Sequence, residues 1–206
     1  MRLRLLLLFA ICFVWPCVRL QAQESAKAQI EEEDARLTSV AQRKGAVANL
    51  LTTGNQFRDA GDALNAARAW NRAGRIQLQL IQPDEAIVTH RNALQILRQT
   101  SDPQTRVDNL NGLANIYKYL NKCDKAAPLL NQAIRVSEQS AFVEGKAEAL
   151  TISSYCQVDQ LVALQMAEES LRLWQSVNNK VGTIRACFAV GEFQMIQNNL
   201  AESRES

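Results

Sequence analysis

Side chains that could do chemistry are sparse and scattered in this chain. His90 is the single histidine of the 206 residues, and no serine, cysteine or acid cluster surrounds it in sequence to make a nucleophile or a general acid–base pair. A glycine-rich phosphate loop is missing as well. The pairs Glu31 with Asp34 and Glu168 with Glu169 read as solvated helix faces. Beyond the first 22 residues the cysteines are Cys123, Cys156 and Cys187. An odd number at wide spacing is neither a disulfide framework nor a C-x-x-C metal site. The residue types therefore point away from an enzyme and call for no cofactor or metal.

The ends of the chain bound the rest. Arg2 and Arg4 precede an apolar run at residues 5–15, and Leu20-Gln21-Ala22 offers a small residue for cleavage, the pattern of a secretory signal peptide over 1–22. The protein is expected to be exported, periplasmic or secreted. An uncleaved N-terminal anchor is the alternative, because Trp15-Pro16-Cys17-Val18-Arg19 is an untidy exit from the run, although the run is short for a membrane span. Cleavage after Ala22 removes Arg2, Arg4 and Arg19 and takes the net charge from +2 to −1. That leaves no basic footprint for nucleic acid, and no membrane contact is expected beyond the signal segment. Residues 23–45, with the run Glu31-Glu32-Glu33-Asp34, read as a polar helical or flexible lead without a site.

From residue 46 onward apolar side chains recur at three and four, which predicts helices throughout. The spans are 46–59, 62–81, 84–98, 105–120, 124–139, 145–157, 160–176 and 180–197, with Asn198-Asn199 as a turn and a helical stub from 200. Pro83 and Pro103 sit near helix starts, and Pro128 falls in the first turn or just beyond if Asp124 is the cap. The blocks NAARAWNRAGRIQ (65–77), TRVDNLNGLANIY (105–117), GKAEALTISSYCQ (145–157) and GTIRACFAVGEFQ (182–194) align at offsets of 40, 40 and 37. A small residue holds one fixed place in each: Gly74, Ala114, Ser154 and Gly191. A second helix follows each of the first three blocks, with Ala86-x3-His90-x2-Ala93, Ala126-x3-Leu130-x2-Ala133 and Ala163-x3-Ala167-x2-Ser170. Repetition at such a period means a solenoid of helical hairpins. Its small residues would let neighbouring helix axes approach to about 8–10 Å.

The spacing of Leu110, Leu113, Ala114, Tyr117, Ala126, Leu130 and Ala133 resembles the tetratricopeptide repeat. The period of about 40 and the phrase Ala126-Ala127-Pro128-Leu129-Leu130 are similar to its kinesin-light-chain-like and bacterial exported variants. The resemblance implies an all-α, right-handed superhelix over 46–206, with about four repeats and the last incomplete. An earlier copy, Leu50-x3-Gly54-x2-Phe57-x3-Gly61-Asp62-x3-Ala66-x3-Trp70-x2-Ala73, makes the Trp70 helix a second helix, whereas the stacking at 40 makes it a first helix. Both registers stay open. The third repeat departs most from the pattern: its spacing from Ser154 to Ala163 is nine against twelve elsewhere, and Ser153, Ser154 and Ser170 replace apolar or alanine residues. It should be the weakest link. The bulky position of the second helix holds His90, which places it in the core.

The same resemblance implies a scaffold that binds a protein or peptide in a concave groove lined by first helices. One step round from the packing stripe lie Arg68, Asn71 and Arg75, then Asn111, Asn115 and Lys118, then Thr151 and Tyr155, then Arg185, Phe188 and Glu192. Asparagine can bond an extended peptide backbone and Arg or Lys a carboxylate. Asn111, Asn115 and Lys118 look like part of the family's carboxylate clamp, yet Thr151 and Tyr155 stand where its basic partners belong. Cys123 opens one helix and Cys156 closes the next first helix, so a bond between them is open outside the cytosol. Cys187, Phe188, Phe193 or Met195 would be left partly uncovered on the last helix, so the product is expected to continue past Ser206 or to self-associate through this end. A second reading makes the chain the sensor arm of a larger exported effector, such as a caspase-like peptidase.

Overall fold

The computed structural model describes residues 39–205; the expected signal segment at 1–22 and residues 23–38 of the expected lead lie outside the described residues. Eight helices follow in order: α1 Val40–Asp59, α2 Ala63–Gln79, α3 Pro83–Ile96, α4 Pro103–Tyr119, α5 Cys123–Gln139, α6 Val143–Ser154, α7 Gln160–Ser176 and α8 Lys180–Glu205, with a 3-10 turn at Leu97–Gln99. Each packs against the one before and the one after, giving an all-α helical-repeat solenoid.

Caps fix most of the starts. Ser39 and Gln42 form a capping box, with Ser39 Oγ accepting from Gln42 N at 3.1 Å and Gln42 Oε1 from Ser39 N at 3.0 Å. That box starts α1 at Val40, six residues ahead of the expected 46. Asp62, Asp102 and Asp159 cap α2, α4 and α7, and Pro83 and Pro103 sit in the first turns of their helices. Two expectations fail. Lys122, not Asp124, precedes α5, so Pro128 is the sixth residue of the helix and lies in its second turn. Residues 128 and 124 are both exposed, where water can take the carbonyl of Asp124 that proline leaves without an N–H. At the other end α8 runs unbroken through Asn198 and Asn199, which form no turn.

Five of the seven connections close with one turn. Gly61, Ile81, Asn121, Ala141 and Asn178 take φ of +80°, +59°, +56°, +54° and +54°. Each is followed by an N–H that reaches back five residues: Asp62 to Phe57 at 2.8 Å, Gln82 to Gln77 at 2.9 Å, Lys122 to Tyr117 at 2.8 Å, Phe142 to Ser137 at 2.9 Å and Asn179 to Trp174 at 3.1 Å. These are Schellman closures.

The core is built from small residues at the seams. Ala86, Ala93, Ala114, Ala126, Ala133, Ala163 and Ala167 have no exposed area. Rings fill the gaps that glycines leave: a Cβ on Gly54 would overlap Trp70, one on Gly74 or Gly112 would overlap His90, and one on Gly182 would overlap Trp174. Gly191 differs, for a Cβ there would meet nothing.

Two layers emerge from the packing. Besides their chain neighbours, α2 touches α4, α4 touches α6 and α6 touches α8, so these four make a continuous inner layer. The Trp70 helix α2 is therefore a first helix. In the third repeat α6 ends at Ser154, three residues short of the expected 157, and polar bonds occupy the seam with α7. Ser170 Oγ donates to Ala147 O at 2.7 Å, and Thr151 Oγ1 lies 2.6 Å from Ser170 Oγ. Lys146 of α6 bridges Glu138 of α5 at 3.0 Å and Glu169 of α7 at 3.1 Å.

Candidate partner-binding face

The inner layer repeats one register. Positions 68, 108, 148 and 185 hold Arg, Asp, Glu and Arg; positions 71, 111, 151 and 188 hold Asn, Asn, Thr and Phe; positions 75, 115, 155 and 192 hold Arg, Asn, Tyr and Glu. Arg68 and Arg75 are exposed on α2. The Arg68 guanidinium donates through Nε to Thr105 Oγ1 at 3.3 Å and lies 4.0 Å from Asp102.

The asparagines are not where a backbone reader is needed. Asn71 is 8% and Asn111 4% exposed. Asn111 Nδ2 donates to Gly145 O at 2.9 Å, tying α4 to α6. Gly145 explains the burial: a Cβ there would overlap Val107 and Phe142, so its absence lets α6 close over the Asn111 position. Thr151 likewise turns inward, donating to Ala147 O at 3.1 Å. Asn115 keeps a half-buried place on the face.

The C-terminal half of the face is richer. The Lys118 ammonium sits 5.0 Å above the Tyr155 ring, and Tyr155 packs against Phe193 with ring centroids 5.5 Å apart. Desolvation holds the Lys118 pKa below its usual value, against the pull of Glu148 and Glu192. Desolvation, helped by Glu192, raises that of Tyr155. Arg185 of α8 bonds Glu148 of α6, with both guanidinium nitrogens 3.1 Å from its carboxylate oxygens. Phe188 is 70% exposed on the same helix, and Glu192 is exposed one turn further on.

Sequence reasoning passed over Asp108 and Glu148, although their offset from Arg68 and Arg185 marks them as the same register. Asp108 is exposed, yet the protein around its carboxyl desolvates it in part and raises the pKa to about 6; Arg75 opposes this and Glu148, Asp102 and Glu144 add to it. His90 faces no groove. It is 1% exposed, with Nδ1 3.0 Å from Asn109 Oδ1, and burial lowers its pKa to about 4. Asn109 Nδ2 is committed to Thr105 O at 2.9 Å, so His90 carries its proton on Nδ1.

A cavity of about 970 Å³ lies between α1, α2 and α3, lined by Leu51, Asn55, Trp70, Gln77, Val88 and Asn92 among others. It is separate from the inner-face positions. Among the described residues, none of the His, Cys, Asp and Glu side chains group to hold a metal ion, and no helix is long and apolar enough to cross a membrane.

Residues 65–139, which make up α2 to α5, match the family model described as tetratricopeptide repeat. That span, about a third of the chain, is similar to tetratricopeptide repeats. The matched span opens in α2, the same register that the inner-layer packing sets. Comparison with curated proteins found no match. Tetratricopeptide repeats are non-catalytic units that mediate protein–protein interaction.

Proposed function

We propose that this protein is an exported, non-catalytic scaffold that binds a segment of a partner protein across the inner face of α4, α6 and α8. The observation that carries this reading is two exposed aromatic side chains on the inner layer among charged ones: Tyr155 is 37% exposed beneath Lys118, and Phe188 is 70% exposed on the helix that carries Arg185 and Glu192. Aromatic and arginine side chains dominate binding energies at protein interfaces. The buried asparagines leave side-chain anchoring, more than backbone bonds, as the means of recognition here. Burial and neutrality of His90 support the non-catalytic reading. The disulfide between Cys123 and Cys156 supports export, since such bonds persist in oxidising compartments.

Selection from a random-peptide display library tests the site. Peptides retained by the wild-type protein should lose at least tenfold in affinity to Tyr155→Ala combined with Phe188→Ala, with no change for Arg135→Ala on α5. Equal affinity for all three proteins would remove the assignment. Protease protection of the tagged chain in fractionated cells tests the export.

A further inference from the structure

We propose that the Cys123–Cys156 disulfide is a redox lock on the Tyr155 wall of the inner face, an inference that rests on the partner-binding reading of that face. The bond joins the first residue of α5 to the connector after α6, with Cα atoms 5.4 Å apart. That connector is one of two without the turn that closes the others. α6 has 12 residues where α4 has 17, and residues 155–159 lack the left-handed closure found at five other connections. Its backbone is returned to α6 by Cys156 N to Ser153 O at 2.9 Å and Gln157 N to Ser154 O at 3.3 Å. Val158 stands 94% exposed at its tip. The covalent bond takes the place of the missing helical turn.

What it holds in place is Tyr155, the residue next to Cys156. The Tyr155 ring lies beneath Lys118 of α4 and against Phe193 of α8, so one side chain joins three inner helices across the face. A dithiol reductant opens the lock by a balanced exchange. The S–S bond breaks, each cysteine sulfur gains a proton and an electron, and the reductant leaves as its own disulfide. The connector then keeps its short-range backbone bonds and the Asp159 cap of α7 but loses its tie to α5, Tyr155 leaves its seat, and Lys118 is uncovered. The five Schellman closures elsewhere are untouched, so the effect is local.

The purified chain, oxidised or reduced with dithiothreitol, provides the test. Amine acetylation by an N-hydroxysuccinimide ester, read residue by residue by mass spectrometry, should rise severalfold at Lys118 on reduction when normalised to exposed Lys180. Cys156→Ser and Cys123→Ser should reproduce that rise without reductant. Tyr155→Ala should give it with the disulfide intact. Amide exchange should accelerate at 153–162 and stay slow at 105–117. Unchanged labelling after complete reduction overturns the lock, and so does loss of protection at 105–117, which would make the bond a global staple. A peptide selected on the oxidised face should bind the reduced protein at least tenfold more weakly; equal binding overturns the regulatory role. If no peptide binds either form, the partner reading fails while the labelling still decides the conformational one.

Discussion

His90 is kept neutral by the two glycines that sandwich it. Gly74 and Gly112 bring backbone against the ring, water is excluded, and the pKa falls from 6.5 to about 4. The unfolded chain therefore takes up a proton as pH drops through 6.5 that the folded chain refuses until about 4. Stability from this group is complete above pH 6.5 and lost on the way down to 4, on the order of 3 kcal/mol at most. Asp108 has the opposite sign: its carboxyl, raised from 3.8 to about 6, favours the folded state below pH 3.8, and the benefit fades as pH rises through 6. His90→Gln should flatten the fall in urea midpoint between pH 7 and 4.5. Asp108→Asn should raise stability at pH 7 by up to about 1 kcal/mol after solvent screening. A wild-type midpoint that is level across this range, or a Gln variant that follows it, would refute the His90 account. Asn111 shows why the face was only partly legible in the sequence. Its position lies one step off the packing stripe, which reads as exposed on a single helix, but Gly145 on a helix 34 residues away lets the next repeat cover it. Asn111→Ala should cost about 1–2 kcal/mol in thermal melts, whereas Asn115→Ala should stay within about 0.5 kcal/mol.

At the scale of elements, turn chemistry was harder to read than helix positions. Periodicity placed all eight helices because each buries a stripe against its neighbours, a signal that averages over many residues. Their ends depend on single caps, and the Ser39–Gln42 box was hidden in a stretch that composition marked as polar lead. Asn198-Asn199 misled in the other direction, since asparagine favours a turn only where the backbone needs one. Ile81 is the sharpest case. A β-branched residue seldom takes φ near +59°, and Ile81 does so while 73% exposed. Tertiary packing of α2 on α3 fixes the turn, and the closing bond from Gln82 to Gln77 needs the left-handed residue whatever its type. The left-handed conformation costs a residue with Cβ about 1–2 kcal/mol. Ile81→Asn or Ile81→Gly should therefore stabilise the fold by about 1 kcal/mol, since little packing is lost. A lower melting temperature in both variants would show that Ile81 makes a contact that outweighs its strain.

At the scale of the whole molecule, a solenoid is a line of units held by nearest-neighbour seams, and its cooperativity is no stronger than the seam that fails first. The third repeat was expected to be weakest, because serines replace its apolar residues. Bonds from Ser170 and Thr151, the bridges of Lys146 and the disulfide to the second repeat all support it. The junction of α3 with α4 depends on a different device, the His90 ring wedged between Gly74 and Gly112. No covalent tie reinforces it among the described residues. Gly112→Ala puts a methyl group into that ring, and Gly74 on the far side blocks retreat, so the seam must open; overpacking of this kind costs about 1–3 kcal/mol. The consequence should be a loss of cooperativity in addition to a loss of stability. In a chain lacking residues 1–22 the tryptophans are Trp70 in α2 and Trp174 in α7, so Trp70→Phe and Trp174→Phe backgrounds report each side of the seam separately. In urea the two reporters should give one midpoint in the parent. With Gly112→Ala the Trp70 transition should move to lower urea, while the Trp174 transition, on the disulfide-tied side, moves much less. Midpoints that shift together would mean that the array unfolds as one unit and that the α3–α4 seam has no special weakness.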